Sequence, residues 1–339
     1  MGYDDTIERT DADALIPEEA SREILQHVAE GSSFLSLARR LQDMATGTRR
    51  LPVMSALPLA YFVDEAPGSA DETLGNTSYK QTTKVEWEKK YVYAEEIACI
   101  VPIPESVLDD AGYDIWGEIR PNIVEAIGAV VDGAVYYGTG APATWPDGIV
   151  PEAIAAGNYL ALGDVGDLYD DIMGGDETTP GLIMHVELDG YFPNGYVGAV
   201  SMRGRLRGLR SGALNDGAPL FRQALVGMPP ATQYDLDGQR IFFPLNGVVD
   251  PDESMLICGD WTKSVYAIRK DITYKLLTEA VITDPTDGSI IYNLAQQDMV
   301  ALRVTFRMGW QVANPINRMN TDADTRYPFS VLLSATPSV

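Results

Sequence analysis

Few residues in this chain are typed and spaced for chemistry. Its only histidines, His27 and His185, lie far apart, and its only cysteines, Cys99 and Cys258, belong to no CxxC pair. No Ser or Cys nucleophile motif accompanies either imidazole, so both read as structural, His27 on a helix and His185 on a strand. Two isolated cysteines make neither a disulfide framework nor a zinc ribbon. The acidic cluster Asp164, Asp167, Asp170, Asp171, Asp176 and Glu177 offers oxygen ligands, but its spacing matches no calcium loop, and it reads as a solvated helix face. Gly138-Thr139-Gly140 follows a helical stretch instead of opening one, which suits a helix stop rather than a phosphate cradle. Asp284-Pro285-Thr286-Asp287-Gly288 has the composition of a turn. No catalytic residue, cofactor or metal site is expected.

One basic concentration stands out, Arg203, Arg205, Arg207 and Arg210, spaced by glycines and leucines. It reads either as a DNA-facing or partner-facing patch or as arginines paired with the chain's own carboxylates. Pairing, within a domain or between subunits, is the preferred reading, because bidentate guanidinium pairs suit interfaces. Over its 339 residues the chain carries a formal net charge of -24, with a pI near 4.3. Phosphate attraction normally needs a basic surface, so any contact with nucleic acid should be loose and non-specific. Like-charged subunits also repel, and their assembly would need apolar burial or local charge complementarity. A hydrophobic content of 45% supports one or two ordinary cores. Residues Met1 to Leu15 lack the basic start and apolar run of a signal peptide, and no apolar segment is long enough to span a bilayer. Synthesis in the cytoplasm and no membrane partner are the expectation.

The elements that must position these residues begin with an acidic leader, Met1 to Asp13, a short helix opened by Ile16-Pro17-Glu18-Glu19, and a further helical turn from Phe34 to Met44. From Leu51 to Tyr93 two strand-like limbs flank a polar, glycine-bearing tip. On the return limb Val85, Trp87, Tyr91 and Tyr93 fall on one side of a period-two pattern, and Lys84, Glu86, Glu88 and Lys90 fall on the other. Pro52 and Pro58 suit an edge strand on the outgoing limb. A two-stranded ribbon is marginal in water unless something covers its apolar face, and a neighbouring subunit would supply that cover.

A strand over Ile97 to Ile103 and a short helix opening at Pro104-Glu105-Ser106 follow. Then comes the strongest helical pattern, Ile115, Ile119, Ile123, Ile127, Val131 and Val135, with Ala126, Val130 and Ala134 filling the same stripe. Such a stripe must lie along a sheet, and Pro121 should kink the helix or mark its start. From Gly148 to about Asp260 the texture suggests a separate α/β lobe, with a helix over Asp164 to Met173, a buried strand over Gly181 to Val186, and a helix-like or irregular stretch over Leu188 to Met202. Strands are expected over Ser264 to Ile268, Ser289 to Leu294, Met299 to Arg307 and Phe329 to Leu333. The fold class is α+β.

The order of ribbon, Pro104-Glu105-Ser106-Val107-Leu108-Asp109-Asp110 helix, long helix ending in Tyr137-Gly138-Thr139-Gly140, and Trp145-Pro146-Asp147-Gly148-Ile149 turn resembles the major capsid proteins of tailed bacteriophages. Their shared architecture is the Hong-Kong-ninety-seven-type fold. Cys258-Gly259-Asp260-Trp261 followed by Tyr266-Ala267-Ile268-Arg269-Lys270-Asp271-Ile272 is similar to that family's later segment, as is Ala301 to Arg307 followed by Val312-Ala313-Asn314-Pro315. No single motif is specific, but the ordered set covers nearly the whole chain.

The resemblance implies an N-terminal arm over 1–50, an extended loop over 51–93, a peripheral domain with a spine helix over 94–149 and 261–324, and an axial domain over 150–260 and 325–339. It also implies a homo-oligomer of pentamers and hexamers tiling an icosahedral shell around double-stranded DNA, located in the virion. Portal and decoration proteins would be partners, and a separate scaffolding protein is expected because there is no room here for a long cleaved scaffolding region. The interface residues would be Lys80, Val85, Trp87, Tyr91 and Tyr93 of the loop. Some family members cross-link a loop lysine to an asparagine of another subunit, and Lys80 is the lysine placed to attempt it, though most relatives do without. An encapsulin-type nanocompartment shell shares the fold and is the nearest alternative. A soluble hydrolase is the rival from another class.

Overall fold

Twenty-three residues, Ile115–Tyr137, wind the helix on which the surrounding elements are organised. The computed structural model describes residues 31–60, 82–110, 114–210, 218–225, 232–284 and 286–335. The helix expected over Ile16 to Val28, with His27, and the ribbon tip with Lys80 lie outside the described residues.

In chain order, α1 (Ser33–Leu37) and β1 (Arg39–Arg40) precede a ribbon of β2 (Thr48–Ala56) and β3 (Glu86–Tyr93). β4 (Glu95–Pro104), α2 (Glu105–Asp110) and the long helix α3 follow. The middle of the chain holds α4 (Ile149–Ala156), β5 (Tyr159–Ala161), α5 (Leu168–Met173), α6 (Leu182–Leu188), β6 (Gly195–Gly198) and α7 (Met202–Leu206). It continues through β7 (Phe221–Leu225), β8 (Thr232–Leu236), β9 (Gln239–Phe242) and β10 (Leu256–Gly259). The last elements are β11 (Ser264–Leu277), β12 (Val281–Thr283), β13 (Ile290–Asn293), β14 (Met299–Val312) and β15 (Phe329–Leu333).

Two sheets result. A four-stranded sheet runs β1-β11-β14-β4, and a seven-stranded mixed sheet runs β5-β15-β10-β6-β9-β8-β7. β2 with β3 and β12 with β13 form separate two-stranded ribbons. The stripe Ile123, Ile127, Val131 and Val135 of α3 is buried against Leu302, Val304, Phe306 and Met308 of β14, which is the cover its periodicity demanded. The same cluster reaches Val197, Ile257, Phe329 and Val331 of the seven-stranded sheet, so one apolar core joins both. A second cluster, including Ile172, Leu182, Met202 and Leu206, fills the space between that sheet and helices α5 to α7. Helices and strands are mixed along the chain without a repeating βαβ pattern, an α+β architecture.

Four expectations need correction. Ala126 and Val130 are exposed, because Gly128 and Asp132 occupy the flank of the buried stripe instead. Of the two readings of Pro121, the interior position holds and the helix start does not; the residue whose carbonyl its ring would crowd is Gly117. Residues 182–188 are helix α6, not a strand. Leu182 and Val186 are buried four apart, and a short apolar run fits either period. Only Leu168–Met173 of the expected 164–173 helix forms, and the stretch from Leu188 to Met202 contains strand β6.

α3 stops where the sequence indicates. Gly138 takes a left-handed conformation at φ 70°, its N–H reaching Ala134 O. A Cβ there would sit 2.1 Å from Asp147 O.

Candidate assembly interface

The ribbon pairs antiparallel, with Thr48 opposite Tyr93, Arg50 opposite Tyr91 and Met54 opposite Trp87. Residues opposite one another share a face, and the faces alternate. One face therefore holds Met54 with Trp87, Pro52 with Lys89, and Arg50 with Tyr91. The other holds Val53 with Glu88, Leu51 with Lys90, and Arg49 with Val92.

The second face is seated on the body of the subunit. Val92 is fully buried with Met44, Ala94 and Ala267. Lys90 donates from Nζ to Val312 O at 3.3 Å, and burial pushes its ammonium below the ordinary lysine pKa. The outgoing limb is tied down as well: Ile316 N donates to Met54 O at 3.0 Å, and Arg318 Nη2 donates to Pro58 O at 2.7 Å. At the base, β14 passes so close that a Cβ on Gly309 would lie 2.2 Å from Tyr93 O.

The first face turns outward. Trp87 is 64% exposed and Tyr91 41%, while Tyr93 is half-buried beside the Tyr91 ring at 6.1 Å. Val85 precedes β3 and is half-buried. Two of the aromatics singled out from the sequence thus stand on an uncovered face. On the opposite face Lys84, Glu86 and Glu88 are exposed, while Lys90 and Val92 anchor the ribbon to the subunit.

A buried carboxylate that sequence reasoning missed fixes the start of α1. Asp132, fully buried on α3, accepts from Ser33 N at 3.0 Å, Ser33 Oγ at 2.8 Å, Phe34 N at 3.2 Å and Asn246 Nδ2 at 3.0 Å, and also from Ser32 Oγ. Ser33 Oγ also shares a hydrogen bond with the Tyr136 hydroxyl at 2.7 Å, and burial holds that phenol protonated. The backbone of the preceding segment crosses α3 so closely that a Cβ on Gly128 would meet Ser32 N at 2.9 Å. The available signal was an aspartate between Val131 and Val135 on the apolar stripe.

The arginine cluster lies on and just after α7. Arg203 places its guanidinium 4.6 Å from the Tyr234 ring centroid, and Arg205, Arg207 and Arg210 are exposed. Among the described residues Arg203, Arg205 and Arg207 form no ion pair with the chain's carboxylates, so the within-domain pairing expected for them is not found. The acidic cluster is not uniformly solvated either. Asp171 is buried and accepts from Gly163 N at 2.7 Å and Val165 N at 3.1 Å, while Asp167 caps α5 through Tyr169 N and Asp170 N. His185 lies on α6 and not on the strand expected, and Cys258 is buried with its thiol pushed up by desolvation. No group of metal-ligating side chains forms among the described residues.

Residues 12–317 match the family model described as the phage capsid family. Over 304 residues the chain is 24% identical to the major capsid protein of Staphylococcus phage 80alpha, covering 89% of this chain and 83% of that one. A solved structure from Microbacterium phage Oxtober96 is 38% identical, superposes with a TM-score of 0.78, and covers 97% of this chain and 99% of its own. One from Mycobacterium phage Cain is 30% identical, with a TM-score of 0.75 and coverage of 97% and 98%.

Proposed function

From the premise that this chain belongs to the phage capsid family, as a phage major capsid protein, we propose that its outward ribbon face is the clamp by which one subunit holds the next. Assembly into pentamers and hexamers of a shell is the general property of such proteins, and the virion capsid is where this one resides. The observation that carries the clamp is the two-sidedness of the ribbon: its Val53, Lys90 and Val92 face is seated on its own subunit, while Trp87 and Tyr91 are left uncovered. Aromatic side chains of this kind supply large contact area at low entropic cost and dominate interface energetics. Val85 and Tyr93 extend the clamp at either end, and Lys80 belongs to the same loop.

The division into arm (1–50), loop (51–93), peripheral domain (94–149 and 261–324) and axial domain (150–260 and 325–339) follows the same reading. The four-stranded sheet with α3 falls chiefly in the peripheral part and the seven-stranded sheet in the axial part. Arg205, Arg207 and Arg210 belong to a partner-facing or DNA-facing surface, loose and non-specific toward packaged double-stranded DNA. A separate scaffolding protein guides assembly, portal and decoration proteins join the shell, and the subunit is made in the host cytoplasm.

The test is Trp87→Ala. Since the indole is mostly exposed in the subunit, folding stability should change by no more than about 0.5 kcal/mol, while shell yield by electron microscopy should fall sharply. Loss of soluble, folded subunit in that variant would make the indole ordinary core, and undiminished shells would remove it from the interface.

A further inference from the structure

Between the end of β14 and the start of β15 lie sixteen residues, 313–328, without helix or strand. An irregular segment of that length inside a compact subunit is uncommon, and its backbone groups must be satisfied by other means. Buried side chains do this here. Arg326, 3% exposed, donates from Nε to Asn314 Oδ1 at 3.0 Å and from Nη1 to Asn320 O at 3.0 Å, which closes the segment on itself. Asp189 caps the C-terminal end of α6, a helix packed on β15, and fastens the segment to that part of the fold. Its Oδ1 accepts from Asn320 Nδ2 at 2.7 Å, its Oδ2 from Tyr327 N at 2.9 Å, and its backbone O from Asn317 Nδ2 at 2.6 Å.

The ribbon is tied to this same stretch of chain. Ile316 N and Arg318 Nη2 hold the outgoing limb at Met54 O and Pro58 O, and Gln311 Nε2, just before the segment, donates to Tyr91 O at 3.3 Å on the return limb. Hydrogen bonds are directional, so these set the tilt of the limbs, whereas the apolar seat around Val92 is not directional and only holds them down. Tilt matters because the ribbon is long. Over the eight residues of β3, about 27 Å at the usual rise per residue, a rotation of about 10° at the base displaces the far end by about 5 Å. Apolar side chains are in contact only within about 4 Å, so an error of that size would take the far end out of register with a partner. We propose that Asp189, with Arg326, is a positioning residue for assembly: through segment 313–328 it holds the ribbon at the angle at which Trp87 and Tyr91 meet the next subunit. This rests on the reading of the ribbon as a clamp, and neither Asp189 nor Arg326 lies on the ribbon.

Amide hydrogen exchange on the full-length, unassembled subunit tests the coupling. Asn317→Ala with Asn320→Ala removes both side-chain amides that tie the segment to Asp189, and should raise exchange in β2 and β3 by about tenfold or more while β6 and β10 keep theirs. Arg326→Lys keeps the charge but loses the planar fork, and should give a smaller rise in the same two strands. Arg318→Ala cuts a tie at the ribbon end through an exposed side chain, so β2 exchange should rise severalfold with the urea midpoint unmoved. In each variant the threshold concentration for shell formation should rise severalfold, although Trp87 and Tyr91 are intact. A merely structural segment would instead raise exchange in every strand by one factor and lower the urea midpoint to match, and that result overturns the proposal. Native exchange in the ribbon overturns it too, as does altered ribbon exchange with an unchanged threshold. Should the doubly substituted subunit fail to fold, Arg318→Ala decides by the same criteria. The clamp reading fails separately, by undiminished shells in Trp87→Ala, whereas the exchange comparison needs no assembly and answers for the positioning alone.

Discussion

Asp132 shows how much one side chain can hold in place. A carboxylate buried on a helix is tolerated only when its oxygens are filled by donors, and here two backbone N–H groups, two hydroxyls and an amide fill them. Removing the acceptor leaves those donors buried and unpaired. Asp132→Ala should therefore destabilise the subunit by about 3 kcal/mol, read from urea unfolding midpoints, and a loss under about 0.5 kcal/mol would show that water replaces the carboxylate. Nothing local in the sequence reveals this role: an aspartate on a helix is ordinarily solvated, and its partners lie about a hundred positions away on either side of it in the chain. Trp87 and Tyr91 are the opposite case. Their alternation with charged residues identifies their shared face at once, and the structure leaves that face open.

At the scale of elements, those that long periodic patterns specify form where expected. α3 and β14 each have an apolar repeat long enough that its period admits one solution, while the short run Phe329–Leu333 forms the strand β15 expected of it. Gly138 ends α3 with the left-handed turn that only glycine adopts without strain. Gly138→Ala would add that strain and drive a Cβ into Asp147 O, so it should lower stability by at least about 1–3 kcal/mol, measurable as a drop in melting temperature. α6 is where pattern reading fails, since its seven residues are too few to separate a helix from a buried strand. Its His185 has a testable consequence. Burial lowers the imidazole pKa below 6.5, so the unfolded chain binds the proton more readily. The contribution of this group is full above pH 6.5 and is lost as pH falls through the lower folded value. In His185→Gln the pH dependence of the unfolding free energy across that window should flatten, and an unchanged profile would assign acid sensitivity to other groups.

For the whole molecule, a net charge of -24 on every subunit opposes the assembly that the ribbon clamp favours. Raising the salt from about 0.01 M to about 0.15 M shortens the screening length from about 30 Å to about 8 Å. The threshold concentration for shell formation should fall severalfold over that range, as light scattering would show, and a threshold that rises with salt would mean that ion pairs across the interface dominate instead. By itself the sequence determined the α+β class, the long helix, the late strands, the two-faced ribbon and the absence of any nucleophile or cofactor motif. These follow from local periodicity and residue type, which short-range sterics and burial translate directly into backbone. Tertiary structure alone decided which ribbon face is seated on the subunit, that Asp132 binds the start of α1, that residues 182–188 are helical, and that Asp189 fastens the segment to which the ribbon is tied. Each of these depends on residues remote in the chain meeting in space, and the free energy that selects them comes from packing and hydrogen bonding that no local pattern encodes.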